Sequence, residues 1–244
     1  MKEKEMYENL LDAFIDLDVE KHKRIPYIKE YREIRKLHQE MINKMMEYYT
    51  QHENTYQNKL TQFLDESYYK GNIKLYNFEI DFSNRLDNQV FGDLVVYNHI
   101  PGQSICQAFI DNKKVRAQRK IEFVQAMLNS KLGLFEYVEN KEYGRHILKN
   151  ILSGQTIEVT DQKLSVPSGK DNVYLYDRVI EFEGIHFICG IHMFFNKNDP
   201  DIRKFIKRNK GKYRPTSQLL ELFQLTKQNE KSTISKKYRK ASLY

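Results

Sequence analysis

Between residues 134 and 195 five β-type segments follow one another, each ending at a turn-forming residue, and this succession limits the fold more than any other feature. Residues 134–138 run to Tyr143-Gly144, 146–152 to Ser153-Gly154, and 156–160 into a loop through Pro167-Ser-Gly169. Residues 173–182 stop at Glu183-Gly184, and 185–195 close the series. Short glycine-bearing turns between strands of this length predict an antiparallel meander or a small open barrel.

The sequence before this region has a different period. Met6, Leu10, Leu11, Phe14 and Leu17 recur at helical spacing over residues 3–18, and the polar cluster 20–24 breaks the pattern before Pro26. Ile28, Tyr31, Leu37, Met41, Ile42, Met45 and Tyr49 then make an apolar stripe along a helix of about residues 26–49. Pro26 suits its first turn, where a missing N–H costs nothing. Leu60, Phe63 and Leu64 continue that helix or begin another, and the simplest packing is a helical hairpin whose stripe faces its own domain. Self-association through these helices is the alternative.

Residues 73–82 alternate as a strand would, whereas the apolar run 91–97 fits either period. Residues 104–110 and 115–128 read as helices, the second with Val115, Ile121, Val124, Met127 and Leu128 on one face. Beyond the strands, Asp199-Pro200 and Pro215 each open a helical pattern. The predicted class is therefore α+β, with an N-terminal helical hairpin, central helices packed on an antiparallel sheet or small open barrel of about five strands, and a basic helical C-terminal tail. The corresponding regions are 1–70, 71–195 and 196–244.

Charge separates the last region from the rest. From residue 196 to the end, 14 basic side chains stand against 4 acidic ones, +10, while residues 1–195 carry 26 against 29, −3. Arg203, Lys204, Lys207, Arg208, Lys210, Lys212 and Arg214 lie close together, with Tyr213 among them. Such a cluster can neutralise phosphates and release their counterions, and aromatic or guanidinium planes beside it can stack on unpaired bases. Nucleic acid is the partner this pattern points to. A merely solvated helix face, anionic lipid and acidic protein patches are the competing readings.

Other chemistry has weaker support. The two cysteines, Cys106 and Cys189, form no CxxC pair, which argues against a disulfide scaffold and excludes a four-cysteine zinc site, and both sit in apolar surroundings as small core residues. Ten glycines are scattered singly, so there is no phosphate-cradling loop, and no cofactor is expected. No run of about 18 apolar residues exists, and the N-terminus lacks a signal-peptide pattern, so a cytoplasmic protein with no transmembrane segment is expected. Arg32 and His38, five residues between them, resemble the active pair of HEPN ribonucleases, where they would activate a ribose 2′-hydroxyl. A regular helix sets these two about 120° apart, and Glu33 follows the arginine. His186 and His192 share one face of a predicted strand about 20 Å apart, too far to bind one ion. Glu181 and Glu183 also share a strand face without a partner motif.

Phe91-Gly-Asp-Leu-Val-Val-Tyr-Asn98, Ser130-Lys-Leu-Gly-Leu-Phe-Glu136 and Ile151-Leu-Ser-Gly-Gln-Thr-Ile-Glu-Val-Thr-Asp161, in this order and followed by Asp177-Arg-Val-Ile, resemble a loose family of uncharacterised bacterial proteins. Some of those proteins end in a zinc-binding SEC-C motif, whose cysteine cluster is absent here. The resemblance covers about residues 90–195 and implies helices followed by a small sheet, with no catalytic set to carry over. The expectation is thus a non-enzymatic cytoplasmic binding protein contacting nucleic acid through its basic C-terminal segment. The alternatives are a ribonuclease using Arg32 and His38, and a protein-interaction or assembly factor.

Overall fold

The computed structural model of the chain describes residues 26–56, 58, 62, 85–97, 104–141, 144–161 and 172–227. The expected helix at 3–18, the second arm of the hairpin beyond residue 62, the strand at 73–82 and the tail beyond 227 lie outside the described residues.

Helix α1, Pro26–Gln51, begins at the proline, as its fixed φ and missing donor favour. Ile28, Tyr31, Ile34, Leu37, Met41, Met45 and Tyr49 are buried, three or four residues apart, so the stripe is covered by the chain's own core. Helix α2, Arg85–Val96, absorbs the run that periodicity left open. Val90, Phe91, Leu94, Val95 and Val96 are all buried there, so the helix is apolar on more than one side and its period is hidden. Helix α3, Ile105–Asp111, is capped by Ser104, whose side chain accepts from the Gln107 N–H at 3.0 Å. Helix α4, Gln118–Leu128, buries Phe123, Val124 and Met127.

Five strands follow: β1 Lys131–Asn140, β2 Arg145–Asn150, β3 Thr156–Thr160, β4 Val173–Phe182 and β5 Ile185–Asn196. They close into a barrel in the order β1-β2-β3-β5-β4, with β4 returning to β1. The sheet is mixed where an antiparallel one was expected, because β5 runs parallel to β3 at Thr160–Phe187 while every other pair is antiparallel. That seam joins residues far apart in sequence, and no turn signal announces it. In its five strands and Greek-key closure the barrel resembles the architecture called the OB-fold. Between β4 and β5 the turn is two residues long, and both Glu183 and Gly184 have positive φ (50° and 77°), the geometry of a type I′ hairpin.

Two apolar clusters sit on opposite faces of the barrel wall. Phe135, Leu148, Val159, Leu175, Val179 and Ile188 fill the interior. Outside, Tyr176, Ile180, Phe182, Phe187, Cys189, Ile191 and Met193 pack against α1, α2 and α4 in the larger core. Helix α5, Pro200–Asn209, is capped by Asp199 and buries Ile202 and Phe205. Helix α6, residues 215–227, buries Leu219, Leu220, Leu222 and Phe223. Both helices belong to the larger core, so the basic region through residue 227 is built into the body.

Candidate functional site

On β4, Asp177 and Arg178 are adjacent and fully buried, and strand alternation sends their side chains to opposite faces. Arg178 turns toward the helices. Its Nε and Nη2 donate to the two carboxylate oxygens of Asp93 on α2 at 2.7 and 2.6 Å, and its Nη1 donates to Ser130 Oγ at 2.7 Å. The Tyr97 ring lies 4.1 Å from its guanidinium carbon. Gly190 makes room for this arrangement: its φ is 94°, and a Cβ there would stand 3.2 Å from Asp93 Oδ1.

Asp177 faces the other way. One oxygen accepts the Arg178 N–H at 2.7 Å, and the other accepts from His192 Nδ1 on β5 in a short hydrogen bond. Residues 176 to 178 of β4 stand opposite residues 193 to 189 of β5, so β5 carries a bulge, and the register on its Met193 side sets His192 beside Asp177. His192 remains half exposed: its side chain keeps 45% of its accessible surface, against 0% for Asp177. Burial pushes the Asp177 carboxyl up to about 7, and the Asp177 hydrogen bond lifts the His192 imidazole above its ordinary value. Asp161, next to the end of β3, and Arg35 of α1 both act electrostatically on His192, and Arg35 Nη1 donates to the Ile188 carbonyl at 2.7 Å. Asp161 directly follows Thr160, which pairs with Phe187 across the parallel β3–β5 seam.

The sequence-predicted basic residues are divided by their contacts. Arg203 donates to the Lys197 carbonyl and Asn198, Lys204 pairs with Asp201 at 2.9 Å, and Arg208 pairs with Glu221. Lys207, Lys210, Lys212 and Arg214 have no carboxylate partner among the described residues. The loop bearing the last three is fixed to the barrel, because the Gly211 N–H donates to the Leu152 carbonyl at 2.8 Å. Tyr213, 59% exposed, lies beside it.

The HEPN-like pair is arranged differently. His38 packs edge-on against Phe123 and Phe187, shares a 3.3 Å hydrogen bond with Tyr97 Oη, and is lowered to about 3 by burial and by Arg35. Arg32 Nε is buried without a hydrogen-bond partner among the described residues. His186 meets Glu181 at 3.4 Å rather than His192, and Glu183 holds Arg119 through two 2.8 Å bonds. Cys106 and Cys189 are free and buried, as expected, and burial raises both thiols, Cys189 to about 12. Among the described residues no three His, Cys, Asp or Glu side chains gather as a metal site, and no helix is long and apolar enough to cross a membrane.

Fold and contacts together define an α+β protein in which a small mixed barrel is flanked by helices and edged by a fixed basic loop. The chain belongs to DUF7986, a family of unknown function, whose family model matches residues 26–236. No curated protein and no solved structure matches it.

Proposed function

We propose that this protein binds single-stranded nucleic acid, with the basic segment 203–214 as its principal contact. The observation that carries the reading is the set Lys207, Lys210, Lys212 and Arg214. These are four cations without carboxylate partners among the described residues, on a segment that a backbone hydrogen bond to Leu152 ties to the barrel. Charges held in place before binding lose little freedom on meeting a phosphate backbone. Tyr213 adds an exposed ring on which a base can stack.

The barrel supports this reading by analogy of form. OB-type barrels receive oligonucleotides on the β2–β3 face and its bordering loops. Here Lys149 and Thr156 are exposed on that face, next to the turn that carries Leu152. Fold alone does not establish function, so the weight rests on the cations. A cytoplasmic location and kinship with the bacterial SEC-C-bearing proteins belong to the same proposal. An assembly role through α1 has less support, since Met41 and Met45 are covered by the chain's own core.

Charge reversal is the appropriate test, because truncation at Asn196 would also remove Ile202, Phe205 and Leu219–Phe223 from the core. A variant with Lys207, Lys210, Lys212 and Arg214 changed to Glu should keep the wild-type circular dichroism and lose affinity for labelled single-stranded RNA and DNA. Undiminished binding by a folded variant would refute the assignment.

A further inference from the structure

The turn that joins α5 to α6 is held from beneath by one buried residue. Gln218 is 2% exposed, and its Nε2 donates to the Lys212 carbonyl at 2.9 Å. Its backbone N–H donates to the Arg214 carbonyl at 2.9 Å. Gln218 therefore holds the chain on both sides of Tyr213. The Lys212 N–H is also spent inward, on the Asn209 carbonyl at 3.0 Å, and Gly211, with a φ of 72°, lets the chain reverse there. A buried amide keeps its hydrogen bonds, so these contacts fix the backbone of the turn before any ligand arrives.

The Tyr213 ring is fixed at its far end as well. The Ile151 N–H donates to the Leu134 carbonyl and the Gly211 N–H to the Leu152 carbonyl, both at 2.8 Å, which lays the turn beside the start of β1. Strand alternation points the Leu132 N–H to the same side as the Leu134 carbonyl. Burial of its hydroxyl raises the Tyr213 phenol, while the Arg178 charge and the Leu132 N–H, donating to that hydroxyl, work against the rise. The tip is thus turned to the body, yet the residue keeps 59% of its surface exposed. A large ring tethered at both ends loses little freedom when a flat group covers it.

Charge alone does not select a single strand. A duplex carries phosphates on two strands, so cations that meet phosphates bind it at least as readily. An exposed aromatic face is different, because a paired base is already stacked between its neighbours and only an unpaired one can lie on the ring. Lys212 and Arg214 flank Tyr213 within about 7 Å of chain, near enough to meet the phosphates of a nucleotide stacked there. We propose that the turn 211–214 is a seat for one unpaired nucleotide, with Tyr213 as the residue that makes the protein prefer single strands to duplexes and Gln218 as its positioning residue. This assignment rests on the nucleic-acid-binding reading above and adds the feature that separates the two kinds of strand.

The chain has no Trp, so Tyr213→Trp puts the only indole of the full chain at this seat. The probes are a single-stranded DNA of mixed sequence and the same sequence as a duplex, labelled for anisotropy and unlabelled for indole emission. The single strand should quench the indole as it saturates the protein, and the duplex should not. Tyr213→Ala, melting as wild type does, should bind the single strand about tenfold more weakly and keep its duplex affinity within about twofold. Gln218→Met, added to Tyr213→Trp, should lower the emission anisotropy of the free protein and reduce the quenching. If Gln218→Met does not fold, Tyr213→Ala decides. Single-strand binding without quenching, equal quenching by the duplex, or a folded Tyr213→Ala that keeps the single-strand preference overturns this inference and leaves the cationic contact of the basic segment standing. Absence of binding to either probe by wild type overturns both.

Discussion

Arg178 on β4 and Asp93 on α2 meet through two parallel hydrogen bonds of 2.7 and 2.6 Å, with side chains 0% and 1% exposed. This bidentate bridge joins the barrel to its helical flank. Removing either partner leaves the other charge stranded away from water. Arg178→Met or Asp93→Leu alone should therefore cost about 3–5 kcal/mol in urea unfolding, whereas the double replacement should recover most of that loss. Equal, additive losses would show that the two side chains do not depend on one another.

Gly190 should be sensitive to a single methyl group. Its φ of 94° strains any L side chain, and the new Cβ would press on Asp93 Oδ1 at 3.2 Å. Gly154 has a φ of 80° but nothing within 4 Å of its Cβ position. Gly190→Ala should cost roughly 1–3 kcal/mol, and Gly154→Ala should fall at the low end of that range because it adds strain without a clash. A reversed order would contradict the close approach of Asp93 to β5.

His38 and His192 should titrate in opposite directions. The His38 value is lowered from 6.5 to about 3, so its contribution to stability is complete above the ordinary value and drains as pH falls. The His192 and Asp177 values are raised, the latter from 3.8 to about 7, so the folded pair binds protons more tightly than the unfolded chain. Its contribution is complete at the acid end of that window and is lost as pH rises through about 7. Asp177→Asn should flatten stability on the neutral side, and His38→Leu on the acid side. Histidine NMR should find His192 protonated at a pH where His38 is neutral, and the opposite order would refute both assignments.

Residues 200–227 should behave as core and interface at once. Phe205 is fully buried, so Phe205→Ala should cost about 3–5 kcal/mol. Lys207 is exposed on the same helix, so Lys207→Glu should change stability by no more than about 0.5 kcal/mol. A small effect of Phe205→Ala would mean that α5 is only loosely attached.

How legible these features were in the sequence depended on the range of the interaction. Pro26, the stripe of α1, the Ser104 cap and the Glu183-Gly184 turn are local signals, and each stands where period or turn chemistry places it. The parallel β3–β5 seam is a long-range pairing that no local period encodes. Asp93 and Arg178 look like ordinary polar positions, because a strand or helix pattern does not say which charges meet inside. His192 was visible as a histidine, but its partner is set by the β4–β5 register beyond the bulge in β5, which the pattern of a single strand does not reveal. The positive φ of Gly190 was the nearest local trace of that bulge.

The most direct test of the account measures affinity for a labelled single strand as a function of salt, for wild type and for the variant with Lys207, Lys210, Lys212 and Arg214 changed to Glu. Each neutralised phosphate contributes about −0.7 to the slope of log K against log salt for single strands, so the wild-type slope should be steeper than the variant's by about 3. An identical slope in two folded proteins, or no binding by wild type at low salt, would contradict the assignment of the basic segment as a nucleic-acid contact.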